Sequence, residues 1–382
     1  MGSSRTDPST SRIRVLFLGE FASGNRIMLD WIAAEPRFQL TIVPCSLQNV
    51  PISMAKKMVR LYVPRTYQLL TSGYDTMILE DFGPMCLLDS AIENFRRSVE
   101  EDGLGLGLIE FANWGGTGSS YVGMWIKTTI EAAFPSIIDL HTDVPAERGR
   151  TFYRILHPHP IFDLPGVEEI PINSGHQGDI FPKPGSVVQA EWRGRGTPAL
   201  ITGSYGKGNA LQLAHGWDNI RSEVRTWEYG PDLIYNQVFF TANEPVPLDL
   251  EDAHRARMLF IEMRIRRVVT VSTLEFIENF GGKVSSVEEE FEDLEERVEE
   301  ARRVHVEEND PHMASEILLS VLERYPVLEA KMIKVKENAL VWIYMIEWCV
   351  VSATATITGV VIWSLMVRRS LYREVSTTRL EG

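Results

Sequence analysis

This sequence predicts a mostly parallel, doubly wound α/β domain, followed by a helical hairpin and one C-terminal transmembrane helix. Three observations predict it. Between Ile13 and about Phe111, strand-like and helix-like runs alternate, the pattern of parallel strands joined by crossover helices. The strand-like runs are almost continuously apolar, as strands of a sheet covered on both faces must be. From Trp348 to Val367, WCVVSATATITGVVIWSLMV, 20 residues pass without a charge before Arg368, Arg369 and Arg373. That is helix enough to cross ~30 Å of hydrocarbon at ~1.5 Å per residue. Trp342, Tyr344, Trp348, Trp363 and Tyr372 lie near the two ends, where amphipathic rings favour the headgroup layer.

Residues 1–12 are polar and read as a disordered N-terminus. The domain expected over 13–245 opens with the strand IRVLFL (13–18), which ends at Gly19, and a helix around Arg26–Ala34 leads to the strand FQLTIV (38–43). Gly73-Tyr74-Asp75 introduces TMILED (76–81), and a helix around Leu88–Glu101 precedes LGLGLIEF (104–111). Ligands of such sheets bind at the carboxyl ends of the strands, here near Gly19–Gly24, Glu80–Gly83 and Glu110–Gly118. From His141 to Gly216 the texture changes to short strands and turns rich in Pro and Gly, ending in a β-hairpin with its tip at Gly203–Gly208. A helix from about Pro231 to Thr241 closes the domain, and Pro245 and Pro247 mark a boundary.

Residues 250–338 read as helical. Ser285 and Ser286 with Glu288 and Glu289 make a capping box, and Val287, Phe291, Leu294, Val298 and Ala301 recur at spacings of four and three. Asp310-Pro311 opens a second helix with Ile317, Leu318, Val321 and Leu322 on one face before Pro326. The two fold back as a hairpin whose stripe packs within the chain, with self-association or a protein partner through 285–330 as the other use of that surface. The span is expected over 339–370, with a polar tail at 371–382.

The formal net charge of −14 leaves no Lys/Arg stripe to neutralise phosphates, so no nucleic-acid partner is expected; the lipid bilayer is. Much of the charge is local, twelve acidic residues lying between Glu288 and Asp310. Cys45, Cys86 and Cys349 form no CxxC or zinc spacing, which fits buried thiols in a reducing compartment. No apolar signal core precedes Ile13, so the N-terminal domain is expected in the cytoplasm behind a single-pass anchor. Lys331, Lys334 and Lys336 before the span nearly balance Arg368, Arg369, Arg373 and Arg379 after it, so flanking charge does not decide orientation.

Four stretches carry a resemblance: VLFLGEFASG, GYDTMILEDFG, HPIFDLP at His159–Pro165, and the run from Pro198 to Trp217 with S-Y-G-K-G-N and H-G-W. In their order, residues 13–243 resemble the class I glutamine amidotransferase-like superfamily, within it the ThuA-like and glutamine amidotransferase-like branches. The resemblance implies a flavodoxin-like, amidotransferase-like sheet. It also implies a cysteine on the strained turn after a strand, with its amides holding an oxyanion and a histidine taking the thiol proton. Here the corresponding strand ends at Phe111 and continues ANWGGTGSSYVG, with no cysteine. His215 looks like the family's histidine, but the usual acidic position two residues on is Trp217, with Asp218 one position late.

The first expectation is therefore a membrane-anchored, non-catalytic head acting as a binding or scaffold module. Its ligand-facing candidates are Glu20, Glu80, Asp81, Glu110 and the glycine turn of Gly115, Gly116 and Gly118, whose amides can cradle an anion. The alternative is a hydrolase or amidotransferase-like enzyme with Ser119 or Ser120 as nucleophile, His215 as base and Asp218 as orienter, although GGTGSSYVG is not a G-x-S-x-G elbow. A metal-dependent hydrolase would draw on His141, His157, His159, His176 and His215 with Asp163, Asp179 and Asp218, whose spacings match no metal motif. No metal and no cofactor is expected. GLGLG at 103–107 mimics a dinucleotide fingerprint but falls inside a strand.

Overall fold

The computed structural model describes residues 11–19, 26–45, 50–80, 82–109, 125–138, 151–172, 180–217, 222–247, 249–280, 282 and 284–378. Two compact units are present, one of residues 1–262 with 300–316 and one of residues 263–299 with 317–382.

The first unit is built on an eight-stranded sheet. Its parallel half holds β1 (Ile13–Gly19), β2 (Phe38–Pro44), β3 (Thr76–Glu80) and β4 (Gly105–Ile109), and β10 (Gly208–Leu213) joins β4 in the same direction. Its antiparallel half adds β9 (Pro198–Tyr205), β8 (Val187–Trp192) and β6 (Tyr153–Ile155), giving the order β2-β1-β3-β4-β10-β9-β8-β6. A separate pair joins β5 (Ser136–Ile138) to β7 (Ile180–Pro182). The β9/β10 hairpin turns through Gly206-Lys207, at the predicted tip.

Strand periodicity sends alternate side chains to two separate apolar cores. Val15, Phe17, Ile78, Leu211 and Leu213 enter one, with α1 (Arg26–Ala34) and α6 (Gly230–Thr241) over them. Leu16, Leu18, Met77, Leu79, Leu106 and Leu108 enter the other, covered by α2 (Ile52–Tyr62), α3 (Tyr67–Gly73) and α4 (Asp89–Arg97). The sheet is thus covered on both faces. Helices α2 and α3, between β2 and β3, were not among the predicted elements; α5 (Ser222–Thr226) is a short turn before α6.

The GLGLG run has a packing explanation. A Cβ on Gly105 would stand 1.9 Å from the Thr241 carbonyl oxygen, so β4 lets the end of α6 approach only because it carries no side chain there. The Thr76 hydroxyl donates to Thr241 Oγ1 at 2.9 Å beside it.

Beyond Pro245 and Pro247 the first unit continues into α7 (Leu250–Asn279), as far as Glu262. The cause is an ionic cluster. The Arg257 guanidinium is buried against two carboxylates, Nε donating to Glu35 Oε2 at 3.1 Å and Nη1 to Asp232 Oδ1. His254 Nδ1 lies 2.7 Å from Asp232 Oδ2, and His305 Nε2 lies 3.1 Å from Glu35 Oε1. Burial alone would push the Glu35 carboxyl up; His305, Arg257 and the Arg37 backbone N–H outweigh it and hold it down at about 2.

The second unit is helical. It contains the later part of α7, most of α8 (Ser285–Arg303) and α9 (Pro311–Thr378) from Ile317 onward. Ion pairs fix the register: Arg267 with Glu295 at 2.7 Å, Arg324 with Asp293 at 2.6 Å, Arg266 with Glu329 at 2.8 Å and Lys331 with Glu290. Arg324–Asp293 and Lys331–Glu290 make α9 antiparallel to α8, and Arg266–Glu329 with Lys336 over the Phe276 ring makes it parallel to α7. In the predicted stripe Val287, Leu294 and Val298 are buried within the chain.

Helix α9 does not stop at Pro326. Proline costs an interior helix ~3 kcal/mol, because it removes one backbone donor and crowds the preceding turn. The apolar stripe nevertheless runs through it: Leu318, Val321, Tyr325, Leu328, Met332 and Ala339 are all buried. Their combined burial, at about 1.5–3 kcal/mol for each large side chain, outweighs the proline. Past Ala339 the character changes, and every residue from Trp348 to Val367 is exposed in a helix long and apolar enough to cross a membrane.

Candidate functional site

The carboxyl ends of β1, β3 and β10 meet at Glu80 and the H-G-W run. Glu80 is the last residue of β3 and is fully buried, with Gly19 of β1 as its register partner. A Cβ on Gly19 would lie 2.2 Å from the Glu80 carbonyl oxygen, so glycine is what lets these strand ends stay level. Oε1 of Glu80 accepts the Trp217 backbone N–H at 2.6 Å. The carboxylate therefore ties the chain leaving β10 to the end of β3. The Trp217 indole stacks on Phe17, centroids 6.2 Å apart and planes 9° from parallel, and its N–H points to Gln237 Oε1 at 3.4 Å.

His215, two residues before Trp217, is 1% exposed. Its Nδ1 is 3.0 Å from the carbonyl oxygen of Gly216. A carbonyl only accepts, so Nδ1 carries the proton and Nε2 holds the lone pair. That lone pair accepts the Tyr153 hydroxyl at 2.8 Å. The Trp192 ring lies 5.5 Å from the imidazole. Burial pushes the His215 pKa down to about 4, only partly offset by the Gly216 carbonyl, and pushes the Tyr153 phenol far up. Both groups are neutral at pH 7, and each nitrogen of His215 already has a partner.

Of the other predicted site residues, Glu20, Asp81, Glu110, Gly115, Gly116, Gly118, Ser119, Ser120 and Asp218 lie outside the described residues. Of the candidates among the described residues, Glu80 is tied to Trp217, two residues beyond His215. Cys45 and Cys86 are buried free thiols whose pKa values burial raises, Cys86 adding to the rise at Cys45. His157 is exposed and His159 half-buried, while His141, His176 and Asp179 lie outside the described residues. Among the described residues no three His, Cys, Asp or Glu gather in a way that could hold a metal ion.

The HPIFDLP motif builds a second polar feature. His159 caps a 3₁₀ turn at Pro160–Phe162, its Nδ1 accepting the Ile161 N–H at 3.3 Å, while Ile161 and Phe162 enter the core. Burial lowers the His159 pKa. Asn236 of α6 donates from Nδ2 to the Pro160 carbonyl at 3.2 Å, and its buried Oδ1 has no hydrogen-bond partner among the described residues. His159, Pro160, Phe162 and Asn236, with Asp163 and Leu250, line a groove of about 420 Å³. Sequence reasoning missed Tyr153, Trp192, Gln237 and Asn236. No local signal marks them, since Tyr153 is 62 residues from the histidine it caps.

No protein-family model matches the sequence, and no curated protein matches it. Among solved structures, the chain is similar to cytoplasmic protein STM1381 of Salmonella typhimurium LT2, at 18% identity and a TM-score of 0.48, covering 60% of this chain and 99% of that one. Cytoplasmic protein STM3548 of Salmonella typhimurium gives the same values. A β-galactosidase from Bacillus circulans sp. alkalophilus is similar at 11% identity and a TM-score of 0.36, over 62% of this chain and 32% of that one.

Proposed function

We propose that this chain is a membrane-anchored, non-hydrolytic binding module: an amidotransferase-like α/β head, facing the cytosol, held to a bilayer by the run from Trp348 to Val367. The observation that carries the reading is the state of His215. A general base must meet the proton it removes within about 2.6–3.2 Å. The His215 lone pair is spent on Tyr153 in a fully buried setting, so the histidine is suited to holding strands together rather than taking protons from a substrate. The cysteine that the family's chemistry needs is also missing from the run after β4.

The groove beside HPIFDLP is the surface this reading offers a ligand, because Asn236 Oδ1 is a buried acceptor that an incoming N–H or O–H would satisfy. The free thiols Cys45 and Cys86 support the cytosolic side, where such pairs stay reduced.

The test is turnover. Full-length protein in phosphatidylcholine vesicles is incubated with glutamine and, separately, with an activated ester, and ammonia or alcohol release is followed beside His215→Gln and Tyr153→Phe variants. The reading expects release no faster than from empty vesicles for all three proteins. Release that His215→Gln abolishes, with its circular dichroism unchanged, would overturn it.

A further inference from the structure

In the helical unit, the end of α7 lies level with the point where α9 loses its protein partners. Lys336 Nζ sits 5.6 Å over the Phe276 ring, and a Cβ on Gly282 would touch Ala339 Cβ at 3.4 Å. Ile277, Val284 and Ala339 are buried there. Two residues further along α9 the side chains turn outward: Val341, Trp342, Tyr344 and Ile346 are each more than half exposed.

The length of that outward-facing stretch fixes its depth. From Val341 to Val367 the sequence has one charged residue, Glu347. A helix of that length spans roughly 40 Å at ~1.5 Å per residue, which is the bilayer with its headgroup layers and not the hydrocarbon alone. Ala339 then stands at the outer boundary of the headgroups, and the end of α7 stands with it.

The end of α7 carries an aromatic pair on its outside. Phe276 is 40% and Phe280 43% exposed, with ring centroids 4.5 Å apart. Charges on the same stretch are mixed, Lys283, Lys334 and Lys336 against Glu275, Glu278 and Glu337. They favour neither an anionic nor a neutral surface, so the pair itself must set the partner. Aromatic rings at this level gain by leaving water for the interfacial layer.

We propose that the end of α7 is a second membrane contact, with Phe276 and Phe280 dipping into the headgroup layer beside the base of the span. The proposal rests on the reading that 348–367 crosses the bilayer. Two contacts on one rigid helical unit would fix its tilt, which a single span leaves free.

The test uses full-length protein carrying Cys349→Ser, with one reactive cysteine added at a time and labelled with an environment-sensitive fluorophore in phosphatidylcholine vesicles. Phe280→Cys and Glu278→Cys report the end of α7, the second keeping both rings. Ile265→Cys reports a point about 20 Å back along α7. Ile357→Cys reports the span. Labels at 278 and 280 are expected to shift to the blue and to be quenched by headgroup-level nitroxide lipid, equally with or without phosphatidylserine. The label at 265 is expected to do neither. The label at 357 is expected to be quenched by a deep nitroxide. Labels at 278 and 280 that behave like the one at 265, while 357 is quenched, would overturn the second contact and leave the span standing. Quenching at 278 and 280 that needs phosphatidylserine would overturn the apolar assignment. An unquenched label at 357 would instead remove the span.

Discussion

Replacing Arg257 by methionine is expected to destabilise the α/β unit by roughly 3–5 kcal/mol, because it removes the guanidinium that two fully buried carboxylates share, leaving Asp232 against His254 and Glu35 against His305. Glu35 and Asp232 are both fully buried, and Arg257 is the guanidinium between them. Lysine should not rescue the site, since one ammonium cannot reproduce the fork that reaches Nε to one acid and Nη1 to the other. Adding Glu35→Gln and Asp232→Asn to Arg257→Met should recover much of the loss, because neutral amides need less of their surroundings. Urea unfolding of the full chain in detergent measures all three. A loss under 1 kcal/mol for Arg257→Met would mean that the cluster is solvated and that α7 is not rooted in the unit through it. The same cluster sets an acid limit. Glu35 is held at about 2 against an ordinary 4.5, so its contribution is complete above 4.5 and is lost as pH falls from there through 2.

The second large effect lies at His215. Its folded pKa is about 4 against 6.5 for the ordinary group, so below 6.5 the unfolded chain takes up a proton that the folded chain refuses. Stability is therefore full above 6.5 and falls as pH drops from 6.5 to 4, by roughly 3 kcal/mol at 1.36 kcal/mol per unit. His215→Gln keeps an acceptor for Tyr153 and a donor for Gly216 but cannot titrate. Its unfolding free energy should lose nearly one proton's worth of slope between pH 6.5 and 4.5, above most of the Glu35 window. An unchanged slope would show that His215 is protonated in the fold and that the Tyr153 cap is not its resting state.

Much of the parallel half was legible in the sequence, since β1, α1 and β2 are short, strongly patterned runs closed by Gly19 and Pro44. Helix α9 was legible at its start, Asp310-Pro311, but not across Pro326. A proline is a local signal, and the buried stripe that overrides it extends from Leu318 to Ala339. The GLGLG run has a cause that the sequence does not display: the approach of Thr241 to Gly105 involves residues 136 positions apart and leaves no local mark. The candidate site divides the same way. His215 stands out in H-G-W, whereas its cap Tyr153 and the tie from Glu80 to Trp217 arise only when strands separated by 62 and 137 residues are brought together. The ionic root of α7 is less legible still, because Glu35 meets His305 across 270 residues.

If the run from Trp348 to Val367 holds this head to a bilayer, alkaline extraction of membranes from cells making the 382-residue chain will leave it there. The untouched protein is expected to stay with the membrane pellet at high pH. The paired substitutions Ile357→Lys and Val361→Lys, each costing about 2.5–3.5 kcal/mol at mid-span, should release it to the soluble fraction with the head still folded. Recovery of the untouched protein in the alkaline supernatant would contradict the account.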